Sequence, residues 1–265
     1  MVLVPKVLIL AGTGMARRLA EALVDRVEVV SSLAGRTSQP VALVGGVRVG
    51  GFGGVAGLID YLRTAQIQAV IDATHPFAQQ ISLHGAIACA ELNIPHLFLV
   101  RRPWLPDVGD RWLEVETMRA AAEHSGRFER VLLTIGRQQL ESFTAIAHTW
   151  YLVRAIEAPD LVPPRSQVWL ERPPYGLEQE LGLLSEFAIE AIVSKNSGGT
   201  ETYAKIQAAR QLALPVIMVQ PPSLPSGLQV QDIPEAIAWL EQTLGLEFPP
   251  LTATTRTSRI DRTAQ

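Results

Sequence analysis

Short, fully apolar runs alternate with stretches of helical spacing along most of this chain, and glycine or proline punctuates the joins. Lys6 to Leu10 predicts a strand, Ala11-Gly12-Thr13-Gly14 a tight turn, and Met15 to Leu23 an amphipathic helix. Val27 to Ser31 predicts a second strand. Strand, glycine turn, helix and strand form the signature of a βαβ unit, because parallel neighbours need a crossover connection. The glycine-rich stretch Gly45 to Gly57 carries a short strand at Val47 to Val49 and leads into a helix at about Val55 to Thr64. Ala69 to Ala73 predicts a buried strand that runs into Thr74-His75-Pro76-Phe77. A helix to Leu92 and a strand at about His96 to Val100 follow.

The plan then recurs. Val131 to Ile135 predicts a strand followed by Gly136-Arg137 and a helix start, and Trp150 to Ile156 the next strand. Gly176 to Phe187 reads as a helix, Ile189 to Val193 as a strand, Glu201 to Leu212 as a helix and Val216 to Val219 as a strand. Ile67 to Asp72 with its following helix and Asn93-Ile94-Pro95 parallels Ile189 to Ser194 with its helix and Ala213-Leu214-Pro215. Duplication and the general likeness of βαβ units both explain that parallel. The expected fold class is α/β, with two Rossmann-like domains whose parallel sheets are flanked by helices. Ser125-Gly126 interrupts the pattern, so the expected domains are residues 1–125 and 126–248. Residues 249–265, polar and without apolar period, read as a flexible tail.

Composition narrows the function classes. The chain has 265 residues, 48% of them hydrophobic and 18% charged, which suits two globular domains. A formal net charge of -3 gives no basic footprint for nucleic acid. No apolar run approaches the ~20 residues that span a bilayer. The start of the chain lacks a signal-peptide layout, and a single cysteine, Cys89, fits a reducing cytoplasm and leaves no cysteine-built metal site. No metal is expected.

In doubly wound sheets, ligands bind beyond the carboxyl ends of the strands, so the chemistry is sought in those loops. Gly12, Thr13 and Gly14 with Arg17 let a backbone approach a pyrophosphate at a helix N-terminus, although the last glycine of the dinucleotide fingerprint is missing. After the second strand stand Ser31, Gly35, Arg36 and Thr37 where an NAD-specific fold would place a carboxylate. Hydroxyls and a guanidinium suit a 2′-phosphate, which points to NADPH. Thr74, His75 and Pro76 end a central strand and serve either as a structural turn or as the border of a nicotinamide site. Arg102 and Trp104 suit a flat, carboxylate-bearing ligand, or else a surface linker. Gly136 and Arg137, and Lys195, Asn196, Ser197 and Gly198 at a helix start, make a further anion-binding or proton-donating surface. No tyrosine precedes a lysine by four residues, which removes the short-chain dehydrogenase pattern, and no zinc motif or nucleophile elbow is present.

Taken together, these segments resemble the precorrin-6A and cobalt-precorrin-6A reductase family of cobalamin biosynthesis. The resemblance rests on Gly12-Thr13 with Ala16-Arg17, Gly35-Arg36-Thr37, Asp72-Ala73-Thr74-His75-Pro76-Phe77-Ala78 and Arg102-Pro103-Trp104. Gly136-Arg137, Ser194-Lys195-Asn196-Ser197-Gly198-Gly199, Lys205 and Leu214-Pro215-Val216 extend it. Ala11, Met15 and Gln220 depart from the family's pattern.

The resemblance implies an NADPH-dependent oxidoreductase that reduces one double bond of a tetrapyrrole in the cleft between two domains. Gly12, Thr13, Gly14, Arg17, Ser31, Gly35, Arg36, Thr37, Thr74, His75 and Pro76 would then hold the cofactor. Arg102, Trp104, Gly136, Arg137, Lys195, Asn196, Ser197 and Gly198 would hold the substrate. Lys195 or His75 would deliver the proton, and water serves equally well. The partners expected are the tetrapyrrole, with other enzymes of the pathway as further candidates. Two other readings compete: a non-catalytic NADPH sensor, and an NADPH reductase of another acidic substrate.

Overall fold

The computed structural model describes residues 4–35 and 43–247. Expectations placed on Arg36, Thr37 and residues 249–265 lie outside the described residues. The first run of elements is β1 (Lys6–Leu10), α1 (Gly14–Leu23), β2 (Glu28–Leu33), β3 (Gly46–Val49), α2 (Gly54–Thr64), β4 (Ala69–Asp72), α3 (Gln79–Leu92) and β5 (His96–Leu99). The chain continues through β6 (Arg111–Val115), α4 (Met118–Ser125), β7 (Arg130–Thr134), a 3-10 helix (Arg137–Phe143), β8 (Trp150–Ala155) and β9 (Ser166–Leu170). It ends with α5 (Leu177–Glu186), β10 (Ala191–Lys195), α6 (Ala204–Gln211), β11 (Pro215–Val219), β12 (Leu228–Val230) and α7 (Ile233–Leu244).

Two six-stranded sheets result, ordered β3-β2-β1-β4-β5-β12 and β9-β8-β7-β10-β11-β6, and every pairing is parallel. The α/β class with two parallel, helix-flanked sheets is the one read from the sequence. β1 shows why these segments fold this way. Its alternate residues feed opposite faces: Val7 and Ile9 join Leu19, Leu23, Ile237 and Leu240, while Leu8 and Leu10 join Leu58, Leu62 and Ala88. A strand buried on both faces must be apolar throughout, which is what Val7 to Leu10 supplies. On α1, Ala16, Leu19, Ala20 and Leu23 follow the 3.6-residue period and are buried, and Thr13 caps the helix by accepting from the Ala16 N–H at 3.1 Å.

The sixth strands are exchanged. β6 follows the first run in sequence yet pairs with β11 in the second sheet, and β12 follows β11 yet pairs with β5 in the first. α4 and α7 follow the same exchange, with α7 packing on α1 and β5. A division at Ser125-Gly126 therefore does not match the sheets: Gly126 merely caps α4 inside the second unit, residues 111–125 belong there, and residues 228–244 return to the first. The crossings, residues 100–110 and 220–227, carry Pro103, Pro106, Pro221, Pro222 and Pro225. Proline lacks the N–H that would extend a ladder, so both crossings stay outside the sheets.

Candidate active site

Both sheets turn their carboxyl ends toward a common cleft, and the two crossings run through it. A cavity of about 210 Å³ lies there, walled by Asp72, His75 and Phe98 of the first unit, Asn196 of the second, and Arg101 and Pro221 of the crossings. A second cavity of about 300 Å³ adjoins it through Arg101 and is lined by Met15, Arg18, Arg102 and Glu201.

The glycine turn after β1 leads directly into the N-terminus of α1. Gly12 sits at φ 126°, a left-handed value that favours glycine. The Thr13 hydroxyl donates to the Ala73 carbonyl at 2.8 Å, fixing this turn against the end of β4. A Cβ on Gly14 would stand 2.6 Å from Glu201 Oε1 and 3.6 Å from Arg18 Nη1. The neighbouring arginine, Arg17, expected to reach the cofactor, pairs with Glu21 at 2.9 Å on the outer face of α1. Arg18, one 100° step round the helix, lines the cavity instead.

The end of β2 also differs from expectation. Ser31 is fully buried on the α1 side of the sheet, and its Oγ has no hydrogen-bond partner among the described residues. Ser32 lies opposite Arg48 in register, and the Arg48 guanidinium donates to Ser32 Oγ at 3.4 Å while stacking 3.8 Å from the Phe52 ring centroid. Gly35 holds φ 71° at the end of this segment.

Beyond β4, Asp72 organises the next loop. Its Oδ1 accepts from the Thr74 N–H at 3.0 Å and the Thr74 hydroxyl at 2.6 Å, an Asx-type turn. Thr74 is therefore committed to the turn, and Pro76 forms part of the cavity wall. His75 Nδ1 accepts from the Phe77 N–H at 3.2 Å, which puts the ring proton on Nε2. Burial, then the charges of Lys195, Arg101 and Lys205, lower its pKa to about 3. At neutral pH His75 is thus an uncharged hydrogen-bond donor, a far weaker acid than an ammonium.

The second unit answers from β7 and β10. Lys195 Nζ lies 5.1 Å from the Phe77 ring centroid, and a Cβ on Gly136 would stand 3.9 Å from it, so this ammonium sits where the two units meet. Arg137 pairs with Glu157 at 3.3 Å. Gly198, at φ 64°, has no room for a side chain, because a Cβ would come within 2.1 Å of the Arg102 carbonyl oxygen. The 196–199 loop and the first crossing are locked together here. The Asn196 side chain accepts from the Trp104 N–H at 2.7 Å and donates to the Trp104 carbonyl at 3.0 Å and Gln220 Oε1 at 3.2 Å. Trp104 Nε1 donates to the Gly199 carbonyl at 2.7 Å, and its ring packs in the second unit's core. Trp104 and Asn196, expected on the substrate, spend these polar atoms clamping both crossings to the loop, and Asn196 also lines the cavity. Ser197 follows, half-buried, its N–H donating to the Lys195 carbonyl at 2.9 Å.

Behind Trp104 lies a buried charge cluster. Arg154 and Glu180 pair at 2.9 Å with side chains 3% and 0% exposed, and Lys205 Nζ stands 5.3 Å from the Trp104 ring centroid. Burial first, then the repulsion of Arg154 and Lys195 against the attraction of Glu180, lowers the Lys205 pKa to about 7. A lysine depressed in the folded state opposes folding most where the unfolded chain holds its proton and the folded one gives it up or keeps it at a cost. The penalty is full below about pH 7 and fades as pH rises towards 10.5, the ordinary value of a lysine. Lys205→Met should therefore raise the Tm at pH 6, with a gain that shrinks by pH 9. Thermal unfolding of both proteins across that range checks it; a gain independent of pH would contradict the assignment.

Among the described residues, no helix is long and apolar enough to cross a membrane, and no group of three or more His, Cys, Asp or Glu gathers as a metal site. What remains is an α/β protein with a two-sided cleft at the carboxyl ends of two parallel sheets, where enzymes of this class bind their ligands. Sequence and structure comparisons carry this to a family. Residues 6–241 match the profile described as precorrin-6x reductase CbiJ/CobK, and the chain belongs to that family, whose members are oxidoreductases. It is 45% identical over 240 residues to the precorrin-6A reductase of Rhodococcus erythropolis, covering 89% of this chain and 97% of that one. It is 26% identical over 200 residues to the cobalt-precorrin-6A reductase of Priestia megaterium, covering 70% and 78%. A solved structure named CobK precorrin-6A reductase superposes with a TM-score of 0.85 at 40% identity, covering 90% of this chain and 97% of that one.

Proposed function

We propose that the chain reduces one carbon–carbon double bond of precorrin-6A, using NADPH, as a cytoplasmic step in cobalamin biosynthesis. The observation that carries this is that Lys195 and Arg101 both stand close enough to act on His75, which with Arg101 walls the cleft. The higher identity to the precorrin-6A reductase than to the cobalt-precorrin enzyme favours the metal-free substrate. A macrocycle with many carboxylates suits a cleft walled by Arg18, Arg101 and Arg102, with Lys195 close by.

The residues present fit a dinucleotide. Gly12 gives close backbone approach, the N-terminus of α1 offers N–H groups, and Arg18 and Arg101 line the adjoining cavity. When bound, NADPH supplies a hydride to one carbon of the substrate double bond. The chain's own residues do the rest. Arg18, Arg101 and the glycine turn hold the phosphates; Pro76 and the neutral His75 border the nicotinamide; Gly198, Trp104 and Asn196 fix the loop that carries Lys195. Lys195 Nζ gives its proton to the neighbouring carbon, so that hydride and proton together saturate the bond.

Glu201 tunes the cofactor's hold. Its carboxylate lies against Gly14, where phosphate charge would accumulate, so the two anions repel. Glu201→Gln should tighten NADPH binding about 2–10-fold, the scale of one exposed charge pair. Titration of nicotinamide fluorescence checks it, and weaker binding in the variant would contradict it. For the activity itself, anaerobic mixing of the protein with NADPH and precorrin-6A should give coupled loss of the nicotinamide and macrocycle absorbance bands. Binding of NADPH without oxidation in the presence of precorrin-6A would count against the assigned substrate.

A further inference from the structure

The first crossing carries Arg101 and Arg102 to the cavities, yet residues 100–110 form no helix or strand. Its path is therefore set by side chains rather than by a backbone ladder. Two anchors lie at the cleft: the Asn196–Trp104 bonds and the close approach of Gly198 to the Arg102 carbonyl. A third lies at the far end of the crossing, among residues that line neither cavity. There Arg210 of α6 donates from Nε to Asp110 Oδ1 at 2.9 Å and from Nη2 to Asp110 Oδ2 at 3.0 Å. Its Nη1 stands 3.3 Å from Asp107 Oδ2. The Asp110 side chain is only 1% exposed, so this two-pronged pair is sheltered on its acidic side. The turn itself is closed by the Asp107 N–H, which donates to Asp110 Oδ2 at 2.8 Å. Gly109, at φ 91°, lies against the Arg210 stem, where a Cβ would stand 3.3 Å from Cγ.

The same guanidinium also reaches back toward the site. Nη2 donates to the Tyr203 hydroxyl at 2.9 Å. The Tyr203 ring packs 5.6 Å from the Trp104 ring, and its N–H donates to the Thr200 carbonyl at 3.3 Å. Trp104 Nε1 in turn bonds the Gly199 carbonyl. Arg210 thus ties the crossing to the loop after Lys195 by two routes, one through Asp110 and one through Tyr203. β6 begins at Arg111, the residue after Asp110, and pairs with β11. The exchanged strand carries the crossing over the cleft, and Arg210 pins the end at which it enters the second sheet.

We propose that Arg210 is a positioning residue for the reduction: bound to Asp110 and Tyr203, it holds the crossing and the 196–203 loop in register, and through them Arg101 and Lys195. The inference rests on the reading of the site given above. Arginine suits this place because its planar fork serves Asp110, Asp107 and Tyr203 together, whereas a lysine ammonium is a point charge. A displacement of about 1 Å at the reacting groups costs up to about 10²-fold in rate, even when it originates far from the chemistry.

The test follows reduction of precorrin-6A by NADPH in single turnovers of the full-length protein, at saturating concentrations and well below the Tm of each variant. Arg210→Met and Arg210→Lys should each lower the rate about 10–10²-fold. Tyr203→Phe leaves the Asp110 pair intact and should lower the rate about 3–10-fold. In the Arg210→Met background it should cost nothing further, because the two residues act as one unit. Rescue by lysine, additive losses, or a lowered Tm with unchanged rates would each overturn the proposal and leave a pair that only stabilises the fold. If Arg210→Met fails to fold, wild-type rates in Arg210→Lys and Tyr203→Phe overturn it equally. If the wild-type protein reduces nothing, the reading of the site falls and this role with it.

Discussion

Replacing Lys195 with methionine should lower the single-turnover rate of double-bond reduction about 10²–10⁴-fold, the usual contribution of a positioned general acid. NADPH affinity should change little, because the ammonium lies at the Phe77 and Gly136 side of the cleft, away from the glycine turn. Burial and the neighbouring cations push the His75 pKa down to about 3, so at neutral pH it is an uncharged ring, a far weaker acid than an ammonium. Water remains the competitor, and the variant separates the two. An unchanged rate with a raised KM would leave Lys195 as a carboxylate anchor and assign the proton to solvent. The pH profile adds a second reading: His75 contributes no limb between roughly pH 5 and 8, the range in which an unperturbed histidine titrates.

The exchanged strands set the second large effect. A fragment of residues 1–125 should fail to fold, because it carries β6 and α4 without the sheet they join and lacks β12 and α7. Without α7, Leu19 and Leu23 lose Ala236, Ile237 and Leu240 as core neighbours. Each buried leucine or isoleucine so exposed forfeits about 1.5–3 kcal/mol, and a domain has only about 5–15 kcal/mol in all. By contrast, residues 4–100 joined by a short linker to 226–247 should fold, since that chain restores the first sheet. Circular dichroism and amide-proton dispersion of both fragments decide it. A folded 1–125 fragment would show that the exchange is dispensable. The intact chain should accordingly unfold in one cooperative transition, although two-unit proteins often show more.

Which parts of this were legible in the sequence follows from burial. β1, β4, β7 and β10 lie inside their sheets, so they appear as apolar runs. β6 and β12 lie at sheet edges, and Arg111-Trp112-Leu113-Glu114-Val115 and Leu228-Gln229-Val230 mix polar and apolar residues without a clear period. Missing both edge strands hid the exchange and moved the apparent boundary to Ser125-Gly126. The loops at the strand ends were legible as places but not as roles. Arg17 and Arg18 are adjacent in sequence, and only the phase of α1 decides that Arg18 faces the cleft. Trp104 has the composition of a stacking residue, yet its indole N–H bonds the Gly199 carbonyl and its ring is core. Asp72 ends a strand unremarkably in sequence, and only the fold shows Thr74 claiming its Oδ1.

The central claim is that NADPH and this cleft together saturate one macrocycle bond, with the proton drawn through the protein's exchangeable groups. The most direct measurement is mass spectrometry of the product after anaerobic reaction of precorrin-6A with NADPH carrying deuterium in its transferable position, in H₂O, and with unlabelled NADPH in D₂O. After back-exchange of labile protons, each condition should leave a single deuterium on a ring carbon, on adjacent atoms in the two products. A product without deuterium from labelled NADPH, or no reduced product at all, would contradict the account.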